Sequence, residues 1–234
     1  MTDATLIDGR AFAANIHASI KLKVSELKDA HGLTPKLAVI LVGEDPASCV
    51  YVRNKDKALV NAGMASQQYN LPEDTAEDEL LTLIEHLNSD SDTHGILVQL
   101  PLPKHISVDT MINAINPEKD VDGFSVTNIG RRVAGIDPAV TPCTPLGCML
   151  LLKDIVGDLS GMRALIVGRS STVGEPMLSL LIKANCTVTV AHSKTENLPE
   201  ECQQADILIA AIGCPEFIKG SWIKSGAVVI DVGI

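Results

Sequence analysis

Aromatic residues are scarce: one Trp, two Tyr and three Phe stand among 234 residues. Proteins that grip single-stranded nucleic acid stack bases on such rings, so that class is excluded. Basic charge is also in deficit, with 29 acids against 19 bases and a net charge of −10. A chain that offsets phosphates needs basic patches, so no nucleic-acid partner is expected. No window approaches the ~18 continuous apolar residues of a membrane helix. The first ten residues carry acids where a secretory signal carries bases. A cytoplasmic chain with no membrane partner is therefore predicted. The six cysteines (Cys49, Cys143, Cys148, Cys186, Cys202 and Cys214) contain no C-x-x-C pair, and no His-Glu-x-x-His occurs. They read as reduced thiols, and no metal site is expected. Disorder is excluded, because 46% of the residues are apolar and mean hydropathy is positive.

What the sequence does contain is an alternation of short apolar runs and longer helical patterns. Strands are predicted at 37–42, 95–100, 164–167, 187–191, 207–211 and 227–232. Helices are predicted at 9–31, 46–62, 76–88, 144–156, 174–184 and 198–204. Nearly continuous apolar strands are those of parallel sheets covered on both faces, so the fold class is α/β, parallel and doubly wound. Asp137–Pro145 holds three prolines and cannot be a helix interior. Thr144 is expected to cap the next helix, with Pro145 at its first position. Two lobes follow, residues 1–143 and 144–234. The chain ends on Val228–Ile234, a buried-strand pattern with nothing after it. A doubly wound sheet covers such a strand with a further helix, so a C-terminally shortened polypeptide is predicted.

In the second lobe, residues 164–177 read as strand, tight turn and helix start. Gly168 permits the turn and Gly174 permits close packing of the helix on the strand. The helix N-terminus there favours a phosphate. The pattern departs from G-x-G-x-x-G, since Ser170 stands in place of the second glycine. In an NAD site an acid ends the second strand and holds the ribose hydroxyls. Here Thr187–Ala191 runs into His192, Ser193, Lys194 and Thr195, with no acid. Ser193, the neighbouring lysine and Arg169 beside Gly168 suit a 2′-phosphate. NADP is preferred over NAD; the plainer alternative is a polar surface loop.

Three features of the first lobe carry chemistry. After Pro46, helical spacing puts Ser48, Tyr51 and Lys55 on one face at i, i+3 and i+7. Their polar ends then lie near the carboxyl end of the preceding strand, where α/β sites form. The plainer alternative makes Tyr51 a core edge and Lys55 a solvated cation. Gln99 is the only polar residue of its predicted strand and precedes a proline-stiffened exit; it can cap backbone or position a lysine. In Pro117–Phe124, Asp120 and Asp122 share a face if extended, although an Asp-Gly turn is commoner. The Tyr51-x-x-x-Lys55 spacing also matches short-chain dehydrogenases. In those enzymes the dinucleotide turn comes first, and here the order is reversed.

Seven motifs in order resemble the bifunctional methylenetetrahydrofolate dehydrogenase/methenyltetrahydrofolate cyclohydrolases of one-carbon metabolism. They lie at 46–58, 95–103, 117–124, 142–145, 168–177, 192–195 and 228–234. The resemblance implies a homodimer whose protomers each set two lobes about a cleft, with NADP on the second lobe and tetrahydrofolate derivatives on the first. It implies an oxidoreductase and hydrolase serving purine biosynthesis. It further implies that Tyr51 packs on the pterin-bearing substrate, Lys55 is catalytic, Gln99 hydrogen-bonds that lysine and Asp122 holds the pterin. Ser48 belongs to the same substrate face. Gly168, Arg169, Ser170, Ser193 and Ile234 are the implied cofactor contacts, with Gly174 closing the turn. Hydride loss from the methylene carbon needs positioning rather than a base. Hydration of the resulting cation needs a proton acceptor, and a cation beside Lys55 favours its neutral amine. A monofunctional NADP dehydrogenase and an inactive folate-binding relic are the competing readings.

Overall fold

Five consecutive buried residues, Ala38 to Val42, make β1 (Lys36–Val42) the spine of the first of two compact units. The computed structural model describes residues 4–233, and the division between units falls between Val121 and Asp122. In the first unit β1 lies between β2 (Ala65–Leu71) and β3 (Gly95–Val98), all parallel. One face, carrying Ala38, Ile40 and Val42, packs on Leu80, Ile84 and Leu87 of α3 (Glu77–Ser89). Met111 of α4 (Val108–Ala114) completes that layer. The other face, Val39 and Leu97, meets Val52 of α2 (Pro46–Asn61). Burying each large aliphatic contributes about 1.5–3 kcal/mol, whereas an exposed ion pair such as Lys183–Asp137 contributes about 0–1 kcal/mol. The apolar layers therefore hold the fold.

α1 (Gly9–His31) begins at Asp8, whose carboxylate accepts from the amides of Arg10 and Ala11, and ends at left-handed Gly32. Of its residues only Val24 is fully buried. β2 escapes the sequence pattern because it is an edge strand of mostly polar residues, ASQQYNL. Short α4 escapes for lack of two full turns of periodicity.

The second unit opens with α5 (Val126–Ala134) and α6 (Cys143–Val156). Its parallel sheet runs β5-β4-β6-β7, with β4 at Arg163–Val167, β5 at Thr187–Ala191, β6 at Ile207–Ala210 and β7 at Val228–Asp231. α7 (Gly174–Lys183) buries Met177 and Leu181 and packs on β4 and β5, while α8 (Leu198–Gln204) supplies Cys202 to the core around Leu165 and Leu208.

The predicted strands and helices recur with ends shifted by at most two residues. One cap needs correction. α6 starts at Cys143 with Pro142 before it, so Thr144 and Pro145 lie inside the first turn and no side chain caps the helix. Pro145 is tolerated there because first-turn amides lack an intrahelical partner in any case. Neither compact unit coincides with the lobes 1–143 and 144–234: α5 and the chain to residue 142 belong with the second unit. No described helix is long and apolar enough to cross a membrane.

Candidate active site and dinucleotide turn

α2 starts where the Asp45 carboxylate accepts the Ser48 amide at 2.8 Å, a bond that holds the Asp45 carboxyl below its ordinary range. With Pro46 in the first turn, this cap sets the register of the helix. Ser48 turns inward, almost fully buried, and its Oγ donates to the Leu100 carbonyl at 3.5 Å. Tyr51 is 60% exposed. Lys55 folds back so that its Nζ sits 5.2 Å from the Tyr51 ring centroid. The same Nζ donates to Gln99 Oε1 at 3.3 Å.

Gln99 lies just past β3, at the carboxyl edge of the sheet, and its amide N–H donates to the Ile40 carbonyl at 2.9 Å. Its side-chain Nε2 donates to the Leu100 carbonyl at 2.7 Å. With Nε2 committed to backbone, Oε1 is the end that faces Lys55. Gln99 therefore both caps backbone and receives the lysine. No carboxylate pairs with Lys55 among the described residues. The arrangement is an amine aimed by an uncharged acceptor and flanked by an exposed ring, which suits a proton acceptor for a flat, electron-poor substrate.

The Pro117–Phe124 segment is anchored by Lys119. Its Nζ donates to the carbonyls of Leu87, Asn88 and Asp90 at 2.9, 2.8 and 2.7 Å, closing the C-terminal end of α3. The Lys119 carbonyl accepts from Ile96 N at 2.7 Å, and Asp120 bridges to Ile96. Asp122 follows, half-buried, as the first residue of the second unit.

At the end of β4, Gly168 takes φ +122, and a Cβ there would run into the Ala211 carbonyl. A Cβ on Gly174 would lie 2.7 Å from Arg169 Cα. Both glycines are therefore required by contact, and Gly168 by its left-handed backbone as well. Ser170, in place of the second glycine, accepts from Val173 N at 3.2 Å and Gly174 N at 3.4 Å through its Oγ. The amides of Arg169, Ser170, Ser171 and Thr172 have no hydrogen-bond partner among the described residues. Arg169 is exposed beside them. Ser193 sits exposed on a tight turn after β5, closed by His192 N donating to Thr195 Oγ1 at 2.8 Å. Free amides ahead of a helix N-terminus, with a guanidinium adjacent, suit a phosphate-bearing ligand. Ile234 lies outside the described residues.

Sequence reasoning missed the buried polar residues of α5. Ser125 caps that helix, Asn128 Oδ1 accepts from Val140 N at 3.4 Å, and Arg132 pairs with Glu175 at 2.8 Å. The available signal was a serine cap followed by Asn and Arg at i+3 and i+7. It is weak without a strong apolar stripe.

Two parallel α/β units, one presenting an aimed lysine and the other a glycine turn for a dinucleotide, define a dehydrogenase-class enzyme. Residues 7–122 match the model of the tetrahydrofolate dehydrogenase/cyclohydrolase catalytic domain, and residues 142–234 match that of the NAD(P)-binding domain of the same proteins. The chain belongs to the tetrahydrofolate dehydrogenase/cyclohydrolase family. It is 61% identical to the bifunctional protein FolD of Paramagnetospirillum magneticum, over all of this chain and 79% of that one. It is similar to the crystal structure of the bifunctional FolD of Campylobacter jejuni (TM-score 0.95, 46% identity, 98% of this chain and 81% of that). It also resembles the Trypanosoma brucei dehydrogenase-cyclohydrolase solved with NADP cofactor and inhibitor (TM-score 0.94, 36% identity, 100% and 80%).

Proposed function

We propose that the chain oxidises 5,10-methylenetetrahydrofolate to 5,10-methenyltetrahydrofolate with NADP and then hydrolyses that product to 10-formyltetrahydrofolate. The observation that carries this is the Lys55 amine held 3.3 Å from Gln99 Oε1 and beside the Tyr51 ring. Tyr51 stacks on the substrate, with Ser48 fixing the backbone beneath it, and Asp122 holds the pterin. In the hydrolytic step a water oxygen adds to the cationic methenyl carbon while one of its protons passes to the Lys55 amine. The amine then returns that proton to the ring nitrogen as its bond to the carbon breaks, and the added hydroxyl releases its own proton to solvent as the formyl carbonyl forms. Gln99 Oε1 aims the amine at the reacting carbon without adding charge to the site.

The turn after β4 fits NADP. Bound there, NADP would supply the hydride acceptor for oxidation of the methylene carbon. Gly168 and Gly174 allow the close backbone packing that forms the turn, the free amides of residues 169–172 donate to the pyrophosphate, and Ser170 holds the turn's shape. Arg169 and Ser193 take the 2′-phosphate. The functional boundary lies at 143/144: residues 1–143 form the catalytic domain and 144–234 the cofactor domain. The enzyme works as a cytoplasmic homodimer on tetrahydrofolate derivatives, supplying purine biosynthesis, with no membrane or nucleic-acid partner. Two assays test this, NADPH formation from methylenetetrahydrofolate and hydrolysis of methenyltetrahydrofolate without cofactor. Both activities are expected. NADPH formation without enzymic hydrolysis would leave a dehydrogenase in which Lys55 only orients folate, and neither activity would overturn the proposal.

A further inference from the structure

Arg132 is a poor choice for stability and a good one for geometry. Its side chain is 4% exposed, and its Nε–H has no hydrogen-bond partner among the described residues. A buried guanidinium left partly unsatisfied gains little over an apolar side chain of similar size. What arginine offers and an apolar residue does not is a rigid fork reaching two partners at once. Here the fork spans two segments. Nη1 donates to the Gly123 carbonyl at 3.3 Å, and Nη2 donates to Glu175 Oε2 at 2.8 Å.

Each partner adjoins a proposed ligand contact. Gly123 follows Asp122 directly. It has φ +66 and faces the Val140 carbonyl where a Cβ would clash, so its position leaves little play. Glu175 is in the first turn of α7, and its amide donates to the Ser170 carbonyl at 3.0 Å. Its second carboxylate oxygen accepts from Ser179 at 3.3 Å, which fixes the carboxylate on the helix. A continuous path of hydrogen bonds thus runs from Gly123 through Arg132 and Glu175 to the Ser170 turn.

We infer that Arg132 is a positioning residue that couples pterin binding at Asp122 to dinucleotide binding at the Gly168–Gly174 turn. The inference rests on the folate and NADP sites proposed above. Ordering the turn around a bound dinucleotide fixes Ser170 and Glu175, hence Arg132 and the Gly123 carbonyl, so the second ligand meets a segment already held. Such coupling is reciprocal: each ligand tightens the other by the same factor.

The test is calorimetric titration of the full chain with tetrahydrofolate, with and without saturating NADP, on wild type, Arg132→Met and Glu175→Gln. Wild type should bind tetrahydrofolate several-fold tighter with NADP present. In Arg132→Met that factor should fall to about one. Glu175 keeps about a third of its side chain exposed, so it stays hydrated when the arginine is lost and the variant should melt close to wild type. Glu175→Gln retains an acceptor for Nη2 but loses the charge, and should show an intermediate factor. An unchanged factor in a folded Arg132→Met variant would make Arg132 merely structural. So would a lowered melting temperature with coupling retained, and Glu175→Gln decides the matter if Arg132→Met does not fold. A wild type that turns over substrate without any coupling sinks this inference alone. One that binds neither ligand sinks the functional proposal beneath it.

Discussion

Between Lys55 and Gln99 the chain runs 44 residues, and only folding brings the amine to the amide oxygen. Helical spacing predicts that Tyr51 and Lys55 share a face, and the ring 5.2 Å from Nζ agrees. The link from helix to strand end is non-local; the sequence leaves Gln99 a backbone cap or a partner for a lysine, and only the family resemblance names Lys55 as that lysine. Replacing Gln99 with Leu removes the hydrogen bond that aims the amine, worth about 1 kcal/mol, so methenyl hydrolysis should slow roughly five- to tenfold. Hydride transfer should change less, and stopped-flow comparison of the two steps checks this. Arg169→Ala should weaken NADP about 10- to 100-fold, the range for one charge-assisted contact, and hardly touch NAD. Equal losses for both, read by fluorescence titration, would place recognition of the 2′-phosphate elsewhere.

At the scale of elements, the loop after α4 shows what motif reading omits. Asp120 and Asp122 attract attention in Pro117–Phe124, yet Lys119 just before them closes the end of α3 with three bonds to backbone carbonyls. Lys119→Met should cost about 1–3 kcal/mol in urea unfolding, since carbonyls lose a cationic donor. Strand β2 is illegible for a related reason: at an edge, polar side chains face water and the apolar signal disappears. Helix α5 hides because its buried face is Asn128 and Arg132 rather than leucines. A second prediction belongs to the loop after α3. Asp90 accepts from Thr93 Oγ1 at 2.7 Å, from Asp92 N and from Lys36, which together hold its carboxyl down to about 2. A depressed folded value stabilises above the unfolded one of 3.8 and is lost as pH falls toward 2. Asp90→Asn should flatten the pH dependence of stability across that acid window and leave its slope near neutrality unchanged. Denaturant midpoints measured along the pH series report it.

Across the whole molecule, the architecture was legible because buried parallel strands announce themselves as apolar runs and capped helices announce their starts. The proline-rich segment 137–145 lies inside the second compact unit, which begins at Asp122, so the place of that division was not legible as a break in periodicity. Chemistry was less legible than architecture, since it depends on which strand ends face which helices. Lys55 carries the central claim, that one site serves both hydride transfer and hydration. Lys55→Met preserves most of the side-chain volume and deletes the amine. The decisive measurement is methenyl hydrolysis and NADPH formation on this variant and wild type, corrected for uncatalysed hydrolysis of methenyltetrahydrofolate. Hydrolysis should fall by the ~10²–10⁴-fold that a general base supplies, with NADPH formation reduced much less. A variant that hydrolyses methenyltetrahydrofolate as fast as wild type would contradict the account.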